Sequence, residues 1–584
     1  MDTQYTNERN HLILMSLMKE HGIRKVIASP GTTNIRLVAS MQQDPYFEMY
    51  SAADERSAAY MACGLAAESG EAVAISCTGA TASRNYVPGL TEAYYRHLPI
   101  LAITSTHHMG EVGNLVPQVI DRSQQMKDMV NCSVSVPMIN PEIPEDEWSC
   151  AVAINKALIA LHQNGGGPAH INLATSYSRD FSVKQLPSCK VIKYYFVGDE
   201  LPKLQSDKIA ILVGSRLVWS EELISNVESF CEKYNAVVLG DHTSGYKGKY
   251  FVQPNLLTAQ KTYNAGFLNI DLLIHIGEMS GAYAGLKARR AWRVNADGQV
   301  KDPYRILVNV FHMKEEQFFK IYAEKKSGKE VSYATLWRTE RQAVYDKIPE
   351  DLPFSNPWLA KTTAPYIPEG AVMHFGILSS LRSWNFFETH PSVHGYSNVG
   401  GFGIDGGVSS LMGASLANRN KLYFGIFGDL AFFYDMNVVG NRHVGNNVRI
   451  MLVNNGKGTE FRNYSHYGAQ FGEDADEYIA AARHYGNKSP NLIRHYAEDL
   501  GYDYLTASNK EEYMQVVDRF TTPEITDRPM LLEVFTDSKD EGDALYVIDH
   551  LQSSTSGEAK QLVKNVLGEK GVSSLKKIKG KLGL

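Results

Sequence analysis

The chain has 584 residues, of which 44% are hydrophobic and 21% charged, so it has ample apolar material for cores and far more length than one ordinary domain needs. Its formal net charge of -6 gives no electrostatic reason to expect nucleic acid as a partner, which favours small-molecule substrates. Six scattered cysteines without a CxxC pair, no signal peptide and no run of about 18 apolar residues indicate a soluble, cytoplasmic protein with reduced thiols.

Short apolar runs alternate with helical patterns through the first third of the chain. The runs KVIAS, AVAISC, PILAITS and PAHINLA are typical of buried strands, and AAYMACGLAAESG and VPGLTEAYYR are typical of helices. The same alternation restarts at KIAILVGS and again at KLYFGIFGD. Strands that alternate with helices form parallel sheets, so we predict an α/β fold of three consecutive doubly wound parallel-sheet domains.

Changes in composition mark the predicted domain boundaries. A proline-rich stretch, DKIPEDLPFSNPW, separates the second domain from the third, and a segment rich in Lys, Gly and Ser follows residue 550. We predict domains at residues 1–188, 189–355 and 356–550, and a C-terminal tail at 551–584. The tail is typical of a solvated or loosely helical segment, and we do not expect it to contact a membrane.

Polar residues end two neighbouring apolar runs in the last domain. Gly428-Asp429 ends the first run, and Asn454-Asn455 ends the second, about one helical crossover later. Parallel strands joined in this way bring both ends to the same edge of a sheet. Asp429, the Asn455 side chain and the backbone carbonyl of Lys457 would suit Mg²⁺ there. The Gly428 turn would suit a diphosphate, although Gly-Asp and Asn-Gly are also ordinary turn formers.

This pair of motifs resembles the thiamine-diphosphate (ThDP) binding motif of the pyruvate-decarboxylase and acetolactate-synthase superfamily. Leu430 replaces the usual third residue, Gly, and GDLAFFYDMN is similar to the variant in the MenD branch, the menaquinone-pathway synthases. The segment YSNVGGFGIDGGVSSLMGAS resembles the MenD segment that holds the cofactor's pyrimidine, with Ile404 as the apolar wedge under the thiazolium. The resemblance implies ThDP and Mg²⁺ as cofactors.

An N-terminal segment, SAADERSAAYMACGLA, resembles the part of the superfamily that carries its catalytic glutamate. The resemblance implies that Glu55 hydrogen-bonds the aminopyrimidine N1′ and helps the cofactor to act as its own base. TGATASRNYVPGLTEAY and GPAHINLA follow in the superfamily's order, so the resemblance covers most of residues 20–540. It implies pyrimidine-binding, central and diphosphate-binding domains, with active sites across the interface of a homodimer or homotetramer.

The substrate-side positions differ from those of the MenD branch, whose donor 2-oxoglutarate and acceptor isochorismate are both multiply anionic. Thr32–Asn34 replace a run that contains an arginine, Val399 replaces a second arginine, and Gly281–Tyr283 stand where the branch has Gly-Lys-Arg. The loss of charged partners weakens the binding of carboxylates. We therefore expect a carboligase that decarboxylates a small 2-oxo acid, with pyruvate favoured, and uses a less anionic acceptor.

The predicted site residues have four roles. As catalytic residues we predict Glu55 and Gln118, and as metal ligands Asp429, Asn455 and Lys457. The predicted cofactor-binding residues are Pro30, Glu55, Gly403, Ile404, Gly428, Asp429, Leu430, Ala431, Asn455 and Phe461. The predicted substrate-binding residues are Thr32, Thr33, Asn34, His107, His108, Glu460 and Arg462.

Other functions stay open from the sequence. A simple 2-oxo acid decarboxylase or a ThDP-dependent C–C hydrolase would use the same cofactor without an acceptor. A non-catalytic ThDP-binding scaffold is disfavoured by the presence of Glu55, Asp429 and Asn455. An oxidoreductase with FAD in the middle domain is disfavoured because that domain has no G-x-G-x-x-G motif.

Overall fold

The computed structural model describes residues 4–216, 219–281, 285–323, 331–484, 488–555 and 558. These residues form two compact units. The first holds the described residues up to Asp199 together with Gly298–His312, and the second holds the rest. The predicted boundaries near 189 and 355 stay predictions, and the predicted tail lies outside the described residues from 556 onward, apart from residue 558.

Helices and strands alternate along most of the first unit. Its helices are α1 (Arg9–Glu20), α2 (Ile35–Met41), α3 (Glu55–Ser69), α4 (Thr81–Asn85), α5 (Val87–Tyr95) and α6 (Pro144–Ala160). Its strands are β1 (Lys25–Ala28), β2 (Glu48–Ser51), β3 (Val73–Cys77), β4 (Ile100–Thr106), β5 (Cys132–Val136), β6 (Ala169–Ala174), β7 (Lys193–Phe196) and β13 (Leu307–His312).

Six of these strands form a parallel sheet in the order β2-β1-β3-β4-β6-β5, and β7 pairs in parallel with β13. Strands β3, β4 and β6 are buried along their whole length, as expected of a parallel sheet that helices cover on both faces. Alternate residues of β3 enter different cores. Ala74 packs in the core that contains α1 and α6, whereas Val73 and Ile75 pack in the core that contains α3 and α5.

The second unit contains two parallel sheets. The strands of its first sheet are β8 (Ile209–Val213), β9 (Val237–Leu239), β10 (Phe251–Val252), β11 (Asn269–Ile276) and β12 (Lys287–Val294), and those of its second are β14 (Val372–Phe375), β15 (His394–Ser397), β16 (Tyr423–Gly428), β17 (Val448–Asn454), β18 (Asp503–Ala507) and β19 (Met530–Phe535). Its helices are α7 (Glu221–Tyr234), α8 (Asn255–Ala259), α9 (Glu315–Ala323), α10 (Ser332–Tyr345), α11 (Asn356–Thr363), α12 (Ser379–Trp384), α13 (Gly407–Ser415), α14 (Asp429–Asp435), α15 (Ala475–Tyr478), α16 (Leu492–Asp499), α17 (Lys510–Phe520) and α18 (Ser538–Asp549).

The strand orders in this unit are β10-β9-β8-β11-β12 and β15-β14-β16-β17-β19-β18, with neighbours parallel. The prediction of an α/β fold with three parallel sheets is thus confirmed. Within the described residues, no helix combines the length and the apolar character that a membrane crossing needs.

Candidate active site

Asp429 joins the two halves of the predicted metal motif. It is the first residue of α14, directly after β16, and it is buried. Its Oδ1 accepts a hydrogen bond from the backbone N–H of Leu430 at 2.7 Å, and its Oδ2 accepts one from Gly456 at 2.6 Å. Burial raises the pKa of the Asp429 carboxyl to about 6, and hydrogen bonds from backbone N–H groups oppose the shift.

Asn454, which ends β17, and Asn455, which follows it, have different surroundings. β16 and β17 are neighbours in the sheet, so both motif halves reach one edge, as predicted. Asn454 is engaged inside the protein, because its Nδ2 donates to Glu533 Oε1 at 2.8 Å. Asn455 Oδ1 is buried and has no hydrogen-bond partner among the described residues. A buried amide oxygen without a partner is costly, so Asn455 suits a ligand-binding role.

These groups fit a hard cation next to a phosphate. The Lys457 carbonyl accepts one hydrogen bond, from the Thr459 N–H at 2.8 Å, and keeps a second lone pair. Together with Asp429 and Asn455 it offers one carboxylate and two neutral oxygens, a set that Mg²⁺ completes with water and phosphate. The described residues contain no group of three or more His, Cys, Asp or Glu that could hold a metal. Apart from Gly428 and its two chain neighbours, no described atom lies within 4 Å of the Cβ position at Gly428, which leaves room for close approach of a ligand.

The predicted wedge loop, residues 398–406, leads from β15 to α13, and α13 is hydrogen-bonded to α14. Asp435, the last residue of α14, accepts hydrogen bonds from the backbone N–H and the hydroxyl of Ser409, both at 2.5 Å. Ile404 is partly buried, and Gly403 is exposed. Phe402, which sequence reasoning missed, has a φ of 54° and is 44% exposed. The loop also contains G-x-G-x-x-G in GFGIDG, outside the middle domain, which by itself is a weak sign of nucleotide binding.

Basic residues after β17 are paired with acids. Asp476 accepts from Lys457 Nζ at 2.6 Å and from Arg462 Nη1 at 2.8 Å. Glu460 forms a bidentate ion pair with Arg382 of α12, with distances of 2.7 and 2.8 Å. Glu460 and Arg462, predicted as substrate residues, are therefore engaged within the chain, and the sequence did not reveal Arg382 or Asp476 as their partners.

The other predicted cofactor residues of this unit lie close to the same elements. Leu430 and Ala431 belong to the first turn of α14. Phe461 lies in a short 3₁₀ turn after the metal loop, with its ring edge-on to His466 at 5.3 Å between centroids. All three residues thus lie on the elements that directly follow β16 and β17.

Glu55 lies in the first unit, as the first residue of α3. Helix α3 begins here because Asp54 caps it, with Oδ1 accepting from the Arg56 N–H at 3.0 Å. The Glu55 side chain is partly exposed, and its Oε2 accepts from Asn85 Nδ2 at 3.2 Å. An accessible carboxylate at the end of a parallel sheet can bind a ligand group that carries a proton.

Residues 11–128 match the family model described as thiamine pyrophosphate enzyme, N-terminal TPP binding domain. The 2-succinyl-5-enolpyruvyl-6-hydroxy-3-cyclohexene-1-carboxylate synthase of Bacteroides thetaiotaomicron is 30% identical over 91% of this chain and 96% of its own length. The chain belongs to the MenD branch of the ThDP-dependent enzymes. It is thus a ThDP-dependent decarboxylating carboligase by family, and the prediction of that family from the motifs is confirmed.

Two further proteins are similar to this MenD-branch enzyme. The synthase of the same name from Phocaeicola vulgatus is 30% identical over 92% of this chain and 97% of its own length. A solved structure, the Rhodococcus jostii RHA1 thiamine diphosphate-dependent 4-hydroxybenzoylformate decarboxylase, covers 90% of this chain and 99% of its own, at 17% identity and a TM-score of 0.38. That likeness is too weak to carry structural detail across.

Hydrogen bonds within the first unit hold the loop after β1, at the position where the MenD branch has a run that contains an arginine. Thr33 is buried, with its hydroxyl 2.7 Å from Thr78 Oγ1. Asn34 is also buried, and its Nδ2 donates to a backbone carbonyl of the same loop at 2.9 Å. Pro30 and Thr32 are exposed. Thr32 is therefore better placed than Thr33 or Asn34 to contact a substrate.

His107 and His108 follow β4, as predicted, but have different surroundings. His107 Nε2 shares a hydrogen bond with the Tyr177 hydroxyl, and its Nδ1 lies 3.0 Å from Glu111 Oε2. The Arg36 guanidinium lies over the Tyr177 ring, 4.8 Å from its centroid. His108 Nδ1 accepts from a backbone N–H two residues on at 3.1 Å, which caps a short helical turn. His107 thus belongs to a polar network that sequence reasoning missed, and the His108 ring is engaged by its own turn.

Gln118 lies in an irregular segment that a buried arginine anchors. Gln118 is exposed and has a φ of 62°, and its carbonyl lies 3.0 Å from the Cβ position at Gly79. Arg122 is 2% exposed and donates from Nη2 to the Ser105 carbonyl at 2.8 Å. The Thr33 hydroxyl approaches the same carbonyl at 3.4 Å. Arg122 therefore fixes the Gln118 segment to the end of β4, a role that was not predicted.

Val399, at a position that differs from the MenD pattern, lies against Gly281, which matches the glycine of the branch's Gly-Lys-Arg. A Cβ on Gly281 would be 2.6 Å from Val399 Cγ1 and 2.5 Å from Leu381 Cδ2. Val399 is 4% exposed. Ala282 and Tyr283, the two residues that depart from the branch's Gly-Lys-Arg, lie outside the described residues.

Proposed function

We propose that the chain decarboxylates a small 2-oxo acid, with pyruvate favoured, and transfers the resulting acyl unit to an acceptor less anionic than isochorismate. The observation that carries the proposal is the contact between Val399 and Gly281. A buried valine that packs on a glycine offers no donor to a carboxylate where the MenD pattern has an arginine. Binding of a multiply anionic substrate at this position would therefore be weak.

The ion pairs of three basic side chains in the second unit also favour a substrate with few negative charges. Arg382, Lys457 and Arg462 contact two carboxylates, those of Glu460 and Asp476. A substrate carboxylate would have to compete with these internal ion pairs, and it would gain less than from an unpaired guanidinium. A singly charged 2-oxo acid needs fewer such partners.

We further propose Mg²⁺ as the metal, bound by Asp429, Asn455 Oδ1 and the Lys457 carbonyl. When bound, ThDP supplies a nucleophilic carbon and an electron sink for decarboxylation. Glu55 would hold a proton on the pyrimidine side of the cofactor, and Ile404 would fix the cofactor's shape by packing beneath it. Gln118 and Thr32 are the exposed polar groups of the first unit that we assign to the substrate.

The assembly and location of the enzyme also belong to the proposal. In the superfamily the glutamate domain of one subunit meets the diphosphate domain of another, so we propose a homodimer or homotetramer in the cytoplasm. Exposed Tyr60 and Met61 on α3, 48% and 46% accessible, are consistent with an interface on the helix that Glu55 begins.

A second candidate is the activity that names the relatives, 2-succinyl-5-enolpyruvyl-6-hydroxy-3-cyclohexene-1-carboxylate synthesis. Identity of 30% over 91% of the chain favours it. The two candidates differ in donor, because the synthase branch uses 2-oxoglutarate. They can therefore be separated by comparing donors at equal cofactor saturation.

The test uses the purified chain with ThDP and Mg²⁺ and measures CO₂ release from pyruvate and from 2-oxoglutarate. Mass spectrometry then follows products with isochorismate or a panel of small aldehydes as acceptors. We expect faster turnover of pyruvate and a 2-hydroxyketone product that depends on an aldehyde. Much faster decarboxylation of 2-oxoglutarate would overturn the proposal in favour of the relatives' reaction. Release of free aldehyde alone, whatever acceptor is present, would indicate a simple decarboxylase.

A further inference from the structure

A cleft in the second unit lies apart from the candidate active-site residues. It has a volume of about 470 Å³, within the range of small-molecule pockets. Three segments line it: the loop before β10, one face of α10, and the segment that follows α12. The side chains that matter for its charge are Lys247, Arg338, Arg341 and Glu388.

The cleft contains three cations and one carboxylate. Arg338 and Arg341 are three residues apart on α10, so they share a face of the helix. Arg338 is held by the backbone carbonyls of Lys249 and Phe251, the latter at 3.3 Å. Arg341 is buried and its Nη1 lies 3.4 Å from Glu388 Oε1. The Glu388 side chain is 49% exposed, so water screens the one negative charge.

Two donors in the cleft are poorly satisfied. Arg341 Nε is buried and has no hydrogen-bond partner within the part of the chain that the structure describes. Lys247 Nζ has a long contact of 3.5 Å to Thr389 Oγ1, and lies 5.7 Å from the centroid of the Phe251 ring. Neither contact neutralises the ammonium group. A buried donor such as Arg341 Nε is costly without a partner, and the partly buried Lys247 ammonium lacks a close counter-ion in the described part of the chain.

The charge on Lys247 responds to this environment. Burial lowers the pKa of Lys247 to about 8, and the neighbouring Arg341 cation lowers it further, against the opposing effects of Glu388 and Asp241. An anion in the cleft would offset both burial and the repulsion between cations.

We propose that this cleft binds a compact anion with at least two negative charges, carried on carboxylate or phosphate groups. The cleft has a net charge of two positive units, two poorly satisfied hydrogen-bond donors and a volume that suits a small molecule, and these three features together define the ligand class. A cleft of this size does not fit an extended nucleic acid backbone. The inference is independent of the proposed reaction, because none of the residues that carry it belongs to the candidate active site.

The experiment uses the full chain saturated with ThDP and Mg²⁺. Citrate and inorganic phosphate are the probes, titrated by calorimetry at constant ionic strength with sodium chloride as compensating salt. Citrate tests whether the cleft binds carboxylate groups, and inorganic phosphate tests whether it binds phosphate groups. The variants are Lys247→Met, which keeps the aliphatic stem, and Arg338→Gln. Lys249→Met is the matched control, because Lys249 is exposed and pairs with Glu232 rather than lining the cleft.

We expect saturable binding of at least one probe, and an increase of about tenfold in its Kd in Lys247→Met and Arg338→Gln, since each removes a charge-assisted contact. Lys249→Met should bind as the unaltered chain does. Absence of saturable binding at millimolar concentrations of both probes would overturn the proposal. Equal weakening in Lys249→Met would also overturn it, because the effect would then reflect overall charge. Thermal unfolding of each variant without probe reports whether the fold is intact.

Discussion

Gly456 donates its backbone N–H to Asp429 Oδ2 at 2.6 Å and so connects the chain beyond β17 to the start of α14. We expect Asp429→Asn to lower Mg²⁺-dependent activity by about 100-fold, because an amide lacks the charge that a divalent cation needs. The amide oxygen can still accept a backbone hydrogen bond, so the fold should persist. A titration of activity with Mg²⁺ measures the effect. The control is Asp474→Asn, because Asp474 is exposed and its side chain makes no cap hydrogen bond. If Asp429→Asn keeps the same Mg²⁺ requirement, Asp429 is not a metal ligand.

The raised pKa of Asp429 makes metal binding sensitive to pH. Because the folded pKa of about 6 lies above the unfolded value, this group stabilises the metal-free fold below about pH 4, and that stability is lost as pH rises through 6. Mg²⁺ requires the ionised form, so we expect its affinity to fall by about tenfold per unit below pH 6. Calorimetric Mg²⁺ titrations from about pH 5 to 7 test this. Melting temperature is a poorer readout, since burial raises the pKa of Glu541 to about 7 and also raises the pKa of Glu533.

Replacement of Glu55 tests whether the chain is a catalyst or a non-catalytic ThDP-binding scaffold. Glu55→Gln should lower activity by about 100- to 10,000-fold, because it removes the carboxylate that would hold a proton on the cofactor. The glutamine oxygen can still accept from Asn85, so ThDP binding and stability should change little. Asp54→Asn, beside it at the helix cap, should leave activity nearly unchanged. Equal activity of Glu55→Gln and the unaltered chain would support a non-catalytic role.

The strands that the sequence predicts are the ones with continuous apolar runs. KLYFGIFGD and VRIMLVNNG became β16 and β17, because a strand buried on both faces needs apolar residues at nearly every position. β7 escaped prediction because it is short and partly exposed, so its composition resembles that of a loop.

Site residues that follow an apolar run could be predicted, whereas pairs of site residues that are distant in sequence could not. Asp429 and Asn455 are recognisable because each follows an apolar run in a fixed order. The pairing of Glu460 with Arg382 joins residues 78 positions apart, and that of His107 with Tyr177 joins residues 70 apart. Such pairs depend on which loops meet at the sheet edge, which no local pattern encodes.

Asp476 controls the charge of the loop after β17. We expect Asp476→Asn to release Lys457 and Arg462 and to raise kcat/KM for 2-oxoglutarate relative to pyruvate by about tenfold, since a second carboxylate would find unpaired cations. Steady-state kinetics with both donors give the ratio. Asp474→Asn serves as a charge-matched control. A ratio that stays constant, or shifts equally in the control, would place these cations outside the substrate pocket.

The close contact at Gly281 predicts a packing defect. Gly281→Ala should destabilise the fold by about 1–3 kcal/mol, because the added methyl group meets Val399 and Leu381 at 2.6 and 2.5 Å. Gly266→Ala is the control, since no described atom lies within 4 Å of its Cβ position. Denaturant unfolding measures the free energy. Val399→Ala should recover part of the loss in the double variant, and additivity of the two changes would argue against the contact.

The single carboxylate in the candidate metal set has a consequence for how the enzyme is loaded. One charge and two neutral oxygens bind a divalent cation weakly, so most of the affinity must come from the diphosphate of the cofactor. The two ligands would then share a coupling free energy, and each would raise the affinity of the other by the same factor. Loading would behave as one cooperative event. Chelation of the metal would release the cofactor, and dilution of the cofactor would release the metal.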